Sequence, residues 1–422
     1  MKLLLKLNLI LALFTLQSVA SAARLQDYTP FNYDIRFTNP ECATYKYVQP
    51  VTSKGGQPLT EKPKNVFCKT SDAQNNLGRS GTPSEKILEW INQPKTKEIF
   101  MTYLSFSSHP VTAALCQAMS ERGVKVQIVV DQKTEINRME ELEACGKDNF
   151  QFYQRGHVSG IDFAHNKVFI VNPHSSDAEF QVSFGSGNMT SGILLHHENW
   201  HFITTYRGSY FAQAHLCLMS GEIDHAASGK EYRTFMKSCL AAIQAPAEDD
   251  IKIFFVPGYG ADATRTINES LAWAEEVKLI SHRFSFATLT NALSAKIAAA
   301  PSFRLKLLFD DDIYWVNAPN TRHEILVVKK LESEGAKVKY LQTNHNQKLL
   351  QHNKYIIFKS LTQKAAFAGA GNFTGTAFSS NWENFYFIKI PAVVDRLEAQ
   401  YDHLYDGLAS TEAELPSEDV MP

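Results

Sequence analysis

The chain lacks a strong charge of either sign: 42 Lys and Arg stand against 44 Asp and Glu over 422 residues, a formal balance of −2. No overall basic field draws it to nucleic acid, although a local basic groove remains open. Cysteine is sparse. The six residues Cys42, Cys68, Cys116, Cys145, Cys217 and Cys239 include no C-x-x-C pair, which argues against a zinc-ribbon site. Beyond the first 22 residues, no apolar run approaches the length of about 20 that a membrane-crossing helix needs. Hydrophobic content of 44% and charged content of 20% are globular values, and the length allows two or three domains.

The short apolar run that is present, Leu7 to Leu16, follows Lys2 and Lys6 and precedes Ala20-Ser21-Ala22. This is the pattern of a secretory signal peptide over residues 1–22, so a secreted or periplasmic location is expected. The first cysteine is Cys42, too late for a lipoprotein anchor. An even cysteine count behind a signal peptide favours disulfides. Sequential pairing would close each loop within one segment at modest entropic cost.

Residues 23–80 are turn-rich and read as an extended N-terminal arm, with Cys42 to Cys68 as a pin. Helix and strand then alternate: helix from Thr82-Pro83 to Ile91, strand Glu98–Phe106, helix Val111–Arg122 ended by Gly123, strand Val124–Val130 closing on Asp131. A second round follows: helix Ala261–Glu275, strand Val277–Phe286, helix Leu289–Ala299, strand Arg304–Phe309 closing on Asp310. The tract Ala245 to Asp250 reads as the boundary between a first lobe, 81–245, and a second, 251–408. The tail 409–422, with four acids, two prolines and no base from Ser410 onward, is expected to be disordered.

Between these rounds lies a denser pattern. His165 and Lys167 are two apart before the run Val168 to Val171, so on a strand both emerge on one face. A second strand leads into Gly185-Ser186-Gly187-Asn188, where small residues would let an anion approach the backbone and Asn188 adds an amide donor. Glu198 follows. A nucleophile or base, a fixed cation, a neutral donor and a carboxylate suit attack on a phosphate ester. The set recurs as His352, Lys354, Asn372 and Glu383. The His-to-Asn spacing is 23 residues, then 20, and the Asn-to-Glu spacing 10, then 11. Internal duplication explains this better than chance. The sequence His197-Glu198-Asn199-Trp200-His201 also matches the H-E-x-x-H zinc pattern. The residues after it alternate as a strand, which would set the two imidazoles about 13 Å apart. His196 and His201 are therefore read as local polar residues.

These residues resemble the phospholipase D superfamily over roughly residues 80–405, whose signature is H-x-K-x(4)-D, then G-S-x-N and a downstream Glu. Three positions depart from it: Asn172 and Lys359 stand where the motifs would carry Asp, and Ala370 replaces Ser in the second glycine-rich turn. The resemblance implies two similar α/β lobes, each a mixed, mainly parallel sheet flanked by helices, related by a pseudo-twofold axis that brings both His-x-Lys pairs into one cleft. The lysines and asparagines would hold the phosphoryl oxygens without a metal or cofactor. Glu198 and Glu383 would accept a bond from an imidazole Nδ1. His165 would attack phosphorus and His352 protonate the leaving alcohol. A phospholipid substrate is expected, possibly at a membrane surface, for a chain expected to be monomeric. A secreted nuclease, a phosphatidyl transferase and a binding protein are the alternatives. The cysteine reading has a direct check: intact-mass analysis of exported protein should show no alkylatable thiol without reductant and six with it.

Overall fold

The structure is a computed structural model that describes residues 32–244, 250–315 and 319–422. The expected signal peptide, the first residues of the arm and most of the boundary tract lie outside the described residues.

The first lobe contains β1 (Asn32–Thr38), a small hairpin of β2 (Lys46–Thr52) and β3 (Pro58–Glu61), then β4 (Glu98–Tyr103), β5 (Lys125–Asp131), β6 (Phe150–Arg155), β7 (Lys167–Val171), β8 (Glu179–Gly185) and β9 (Glu198–Tyr206). The second contains β10 (Ile251–Val256), β11 (Glu276–Ser281), β12 (Arg304–Asp310), β13 (Lys337–Leu341), β14 (Tyr355–Lys359), β15 (Lys364–Gly369) and β16 (Glu383–Ile388). Each lobe builds a seven-stranded sheet of one design, β1-β9-β8-β7-β4-β5-β6 and β10-β16-β15-β14-β11-β12-β13. The expected parallel pairing holds where helices alternate with strands, along β4-β5-β6 and β11-β12-β13. The halves that carry the motifs are antiparallel.

Local chemistry accounts for the helix ends. The helix Pro83–Asn92 starts where Thr82 Oγ1 accepts the Glu85 N–H at 3.3 Å. Helix His109–Arg122 stops at Gly123, whose φ of 65° is the left-handed cap that glycine adopts without strain. Sheet strands that are covered on both faces read as continuous apolar runs: β7 is buried at all five positions.

Two expectations are corrected. The N-terminal arm is not merely an appendage, because β1 pairs along its whole length with β9 and forms the edge of the first sheet. The acidic tail is ordered. Leu415 is fully buried, and its carbonyl accepts the Lys54 N–H at 2.8 Å, while Ser417 N–H donates to Thr52 at 2.9 Å. Composition weighs side chains; here backbone hydrogen bonds and a buried leucine hold the segment. The cysteines pair in sequence order, Cys42–Cys68, Cys116–Cys145 and Cys217–Cys239.

The lobes dock through exchanged contacts. The Ala164 segment bridges Trp382 in parallel, and the Gln351 segment bridges His197 in the same way. Between them, Phe184 of β8 stacks on Tyr386 of β16 at a centroid separation of 3.6 Å, and His215 Nε2 bonds the Tyr386 hydroxyl at 2.8 Å. One apolar cluster therefore runs through both lobes. Phe184→Ala should cost about 3–5 kcal/mol of stability in guanidinium unfolding, as burial of an aromatic ring at a closed interface demands.

Candidate active site

The backbone before each motif is fixed by the aspartate that ends the strand two places away in the same sheet, β5 or β12. Asp131 Oδ2 accepts the Ala164 N–H at 2.9 Å, and Asp310 Oδ2 accepts the Gln351 N–H at 2.5 Å. In both copies this is the residue immediately before the motif histidine. The cross-lobe bridges add bonds from His165 N–H to the Trp382 carbonyl at 3.1 Å and from His352 N–H to the His197 carbonyl at 2.9 Å.

The carboxylates cross over. His165 Nδ1 bonds Glu383 Oε2 at 2.7 Å, and His352 Nδ1 bonds Glu198 Oε1 at 3.0 Å. Each glutamate thus orients the histidine of the other lobe and fixes its proton on Nδ1, leaving Nε2 for chemistry. Both glutamates are fully buried, and the histidines are 9% and 6% exposed, so only the ring edges reach the cleft.

Lys167 Nζ donates to His165 Nε2 at 3.0 Å and to the His165 carbonyl at 2.9 Å. Lys354 Nζ donates to the carbonyls of Ser186, across the interface, at 3.0 Å and of His352 at 3.1 Å. Burial lowers Lys167 to about 8 against the pull of Glu383 and Glu198. Lys354 is driven down by burial and then by Lys167. Burial likewise takes His165 down to about 4, opposed mainly by Glu383. Two ammonium groups and two imidazoles buried about one cleft are destabilised in their charged forms, and an entering anion would relieve this.

Asn188 and Asn372 occupy the turns after β8 and β15. The carbonyl of the following residue accepts two N–H groups in each case: Ser107 and Ser108 on Met189, Ser285 and Phe286 on Phe373. Asn372 Oδ1 accepts the Arg283 N–H at 3.3 Å, whereas Asn188 Oδ1 is buried with no protein partner. The glycines before them are required by close packing. A Cβ on Gly187 would lie 2.0 Å from Glu198 Oε2, and one on Gly371 would lie 2.3 Å from the Phe385 ring. Gly187 thus leaves room for the orienting carboxylate.

The departures from the signature prove peripheral. Asn172 adopts φ 52°, takes the Lys97 and Glu98 N–H groups on Oδ1 at 2.7 and 3.0 Å, and donates Nδ2 to Lys95. It locks a turn below β4, and an Asp would lose the donor. Lys359 pairs with Glu398 at 2.9 Å. The Ser186 hydroxyl accepts the Asn199 N–H at 3.0 Å, so its replacement by Ala370 alters a strand-end bond and not the cleft. His201 is committed to Tyr33 and Asn199 at 2.9 Å each, and Glu198 and His201 lie on the extended strand β9.

Sequence reasoning passed over three groups. His196, read as a local polar residue, bonds Glu198 Oε1 at 3.1 Å within the site. His282 lies 5.7 Å from the His352 ring and bonds Asp312 at 3.1 Å. Asn381 Nδ2 bonds Glu383 Oε1 at 3.0 Å. The common offset of His196 and Asn381, two residues before each glutamate, was a readable signal. His196, Glu198 and His352 each offer a ligand-type atom within 4.8 Å of the others, a metal-capable set by distance. In this structure His196 Nδ1 and His352 Nδ1 both face the one carboxylate oxygen, Glu198 Oε1, at 3.1 and 3.0 Å.

Duplicated His-x-Lys pairs on two docked α/β lobes, with exchanged glutamates, define the phospholipase D superfamily. More narrowly, the sequence model of the family described as "Cardiolipin synthase, PLD-like domain" matches residues 87–213 and 264–405, and the chain belongs to this family. The solved phosphatidylserine synthase of Haemophilus influenzae Rd KW20 is similar in fold, with a TM-score of 0.55, 12% identity, and coverage of 79% of this chain and 87% of that one. Polyphosphate kinase from Porphyromonas gingivalis matches with a TM-score of 0.51 and 12% identity over 80% of this chain. The match spans about half of that kinase, 48%. No curated protein matches the chain significantly.

The crossing makes a direct prediction. Glu383→Gln should impair His165, and Glu198→Gln should impair His352, although each pair spans two lobes. Each variant should lose about 10²- to 10⁴-fold in kcat on a p-nitrophenyl phosphodiester, the range for loss of an imidazole-orienting carboxylate. A double variant of a crossed pair, such as Glu383→Gln with His165→Ala, should be no worse than His165→Ala alone.

Proposed function

We propose that the protein is a phospholipase D-type phosphodiesterase that cleaves phospholipid headgroup esters through a phosphohistidine. The observation that carries this reading is the pair of crossed Glu–His contacts flanked by two buried lysines. Lys167 and Lys354 bind the non-bridging oxygens, with Asn188 and Asn372 as neutral donors beside them. Lys167 exchanges its bond to His165 Nε2 for a phosphoryl oxygen, which frees the ring lone pair. His165 Nε2 then forms the P–N bond as the P–O bond to the leaving alcohol breaks, and His352 donates that oxygen its proton. In the second step His352 takes a proton from water, the new P–O bond forms and the P–N bond breaks.

The family description favours one further reading. A synthase-type member would resolve the same phosphohistidine with an alcohol, giving phosphatidyl transfer instead of hydrolysis. The lean to lipid over nucleic acid rests on that description and on the balance of −2. Three disulfides support an oxidising, exported setting. Both halves of the site on one chain support a working monomer.

Mature protein in EDTA is offered phosphatidylcholine, phosphatidylglycerol, single-stranded DNA and RNA in parallel, with and without glycerol. Headgroup release is expected, and a phosphatidylglycerol product only with glycerol would select transfer. Cleavage of nucleic acid alone would overturn the lipid reading, and loss of activity restored by zinc would overturn the metal-free mechanism. Acid-labile, base-stable label should map to His165. His165→Ala should form no adduct, whereas His352→Ala should regain much of the first step on p-nitrophenyl diesters, whose leaving group needs little protonation. Label on His352 in the His165→Ala protein would reverse the two roles.

A further inference from the structure

Asn166 stands between His165 and Lys167, and on an extended chain its side chain leaves the opposite face. There its Nδ2 donates to Glu222 Oε1, in the interior of the first lobe. Both residues are fully buried. Glu222 lies near the C-terminal end of the helix Tyr210–Asp224, and its second oxygen, Oε2, has no protein partner. Burial raises this carboxyl to about 7, against its contacts with Thr102 and Asn166. A carboxyl group held in the interior by so few bonds adds little stability, since an apolar side chain of similar size would fill the place at lower cost. Its value lies in what it grips.

We propose that Glu222 is a positioning residue for the first half of the site: by gripping Asn166 from behind, it fixes the chain between His165 and Lys167 and so sets the placing of both side chains in the cleft. The proposal deepens the phosphodiesterase reading and rests on it for the kinetic consequence. Glu222 is itself held. Arg155, at the end of β6, donates Nε to the Glu222 carbonyl at 3.0 Å and Nη2 to the Ile223 carbonyl at 2.9 Å. Cys217 on the same helix is joined to Cys239 on the next, Gly229–Ala241. From that second helix the Tyr232 ring packs on Trp382 at 5.1 Å, and the Trp382 carbonyl takes the His165 N–H. The second motif is built differently. Asn353 occupies the matched place between His352 and Lys354, and its Nδ2 donates to the His197 carbonyl at 2.9 Å. Its partner is main chain from across the interface, not a carboxyl group.

Three main-chain N–H groups around Asn166 are already fixed: Ala164 on Asp131, His165 on the Trp382 carbonyl, and Lys167 on Asn384 Oδ1 at 2.8 Å. These bonds set the path of the strand and leave its rotation about its own axis to the side chains. The Asn166–Glu222 bond points away from His165 and Lys167, so it opposes that rotation directly. A rotation would swing the Lys167 ammonium relative to His165 Nε2, which it meets at 3.0 Å. A displacement of about 1 Å at reacting groups costs on the order of 10²-fold in rate. Glu222 touches none of the reacting atoms and acts through Asn166 alone.

The test uses the full chain. Glu222→Leu removes the acceptor, Glu222→Gln keeps an oxygen for Asn166 Nδ2, and Asn166→Ala removes the donor. On a p-nitrophenyl phosphodiester, Glu222→Leu and Asn166→Ala should each lose about 10²-fold in kcat, and the double variant should lose no more than either. Glu222→Gln should stay within about threefold of wild type. The Tm of Glu222→Leu should equal or exceed that of wild type, because an apolar side chain replaces a buried carboxyl. A merely structural role would instead tie lost activity to lost stability. A second measurement needs no substrate. In protein with ¹⁵N-labelled histidine, the His165 Nε2 signal, identified by its loss in His165→Gln, reports the bond from Lys167. It should move in Glu222→Leu and in Asn166→Ala and return in Glu222→Gln, while the His352 signal stays in place. These shifts do not depend on which ester is cleaved, so they stand if the lipid reading fails. Wild-type kcat in Glu222→Leu, or an unmoved His165 signal in both variants, would overturn the proposal. So would a His352 signal displaced as far as that of His165. Where Glu222→Leu does not fold, Asn166→Ala set against Glu222→Gln decides the same question.

Discussion

The structure depends on a bond that neither lobe makes alone. Each motif imidazole is held by a carboxylate from the opposite lobe, His165 by Glu383 and His352 by Glu198. The site therefore exists only when the lobes are docked, and docking is correct only when both exchanges are made. The exchanged backbone bridges at Ala164–Trp382 and His197–Gln351 lie next to these residues in the chain, so main-chain pairing and side-chain chemistry are set by the same contacts.

This arrangement also explains how so many ionisable groups are buried together. Two lysines, two glutamates and two histidines would each resist removal from water alone. Here each charge has a partner: glutamates on imidazole N–H groups, lysines on carbonyl oxygens and on the His165 ring lone pair. The lysines remain incompletely satisfied, with burial pushing both down. An anionic group entering the cleft would supply the missing negative charge and so relieve the strain of burial.

The asymmetry between the halves lies elsewhere than in the signature residues. The changed letters, Asn172, Lys359 and Ala370, govern a turn, a surface ion pair and a strand-end bond. Within the cleft the halves differ at His196 against Asn381 and at the His282–Asp312 pair. A motif comparison weighs positions that recur. A position that differs between copies while keeping the same geometry is invisible to it.

The sequence by itself determined the duplication and the recurrence of the eight motif residues, because those follow from periodicity and spacing along the chain, whereas the cysteine pairing, expected to be sequential, was settled by the fold. It also exposed Asp131 and Asp310 as matched strand ends, without showing that they hold the N–H before each motif histidine. Only the tertiary structure decided which glutamate serves which histidine, since the choice is made across an interface between residues 218 and 154 apart in the chain. It alone showed that the acidic tail is ordered, through backbone bonds that composition does not count. The partner of His196 belongs to the same class: its Nε2 lies 3.0 Å from the carbonyl of Lys348, 152 residues away. Spacing along the chain carries local geometry, while hydrogen-bond partners and charge compensation are properties of the folded interior.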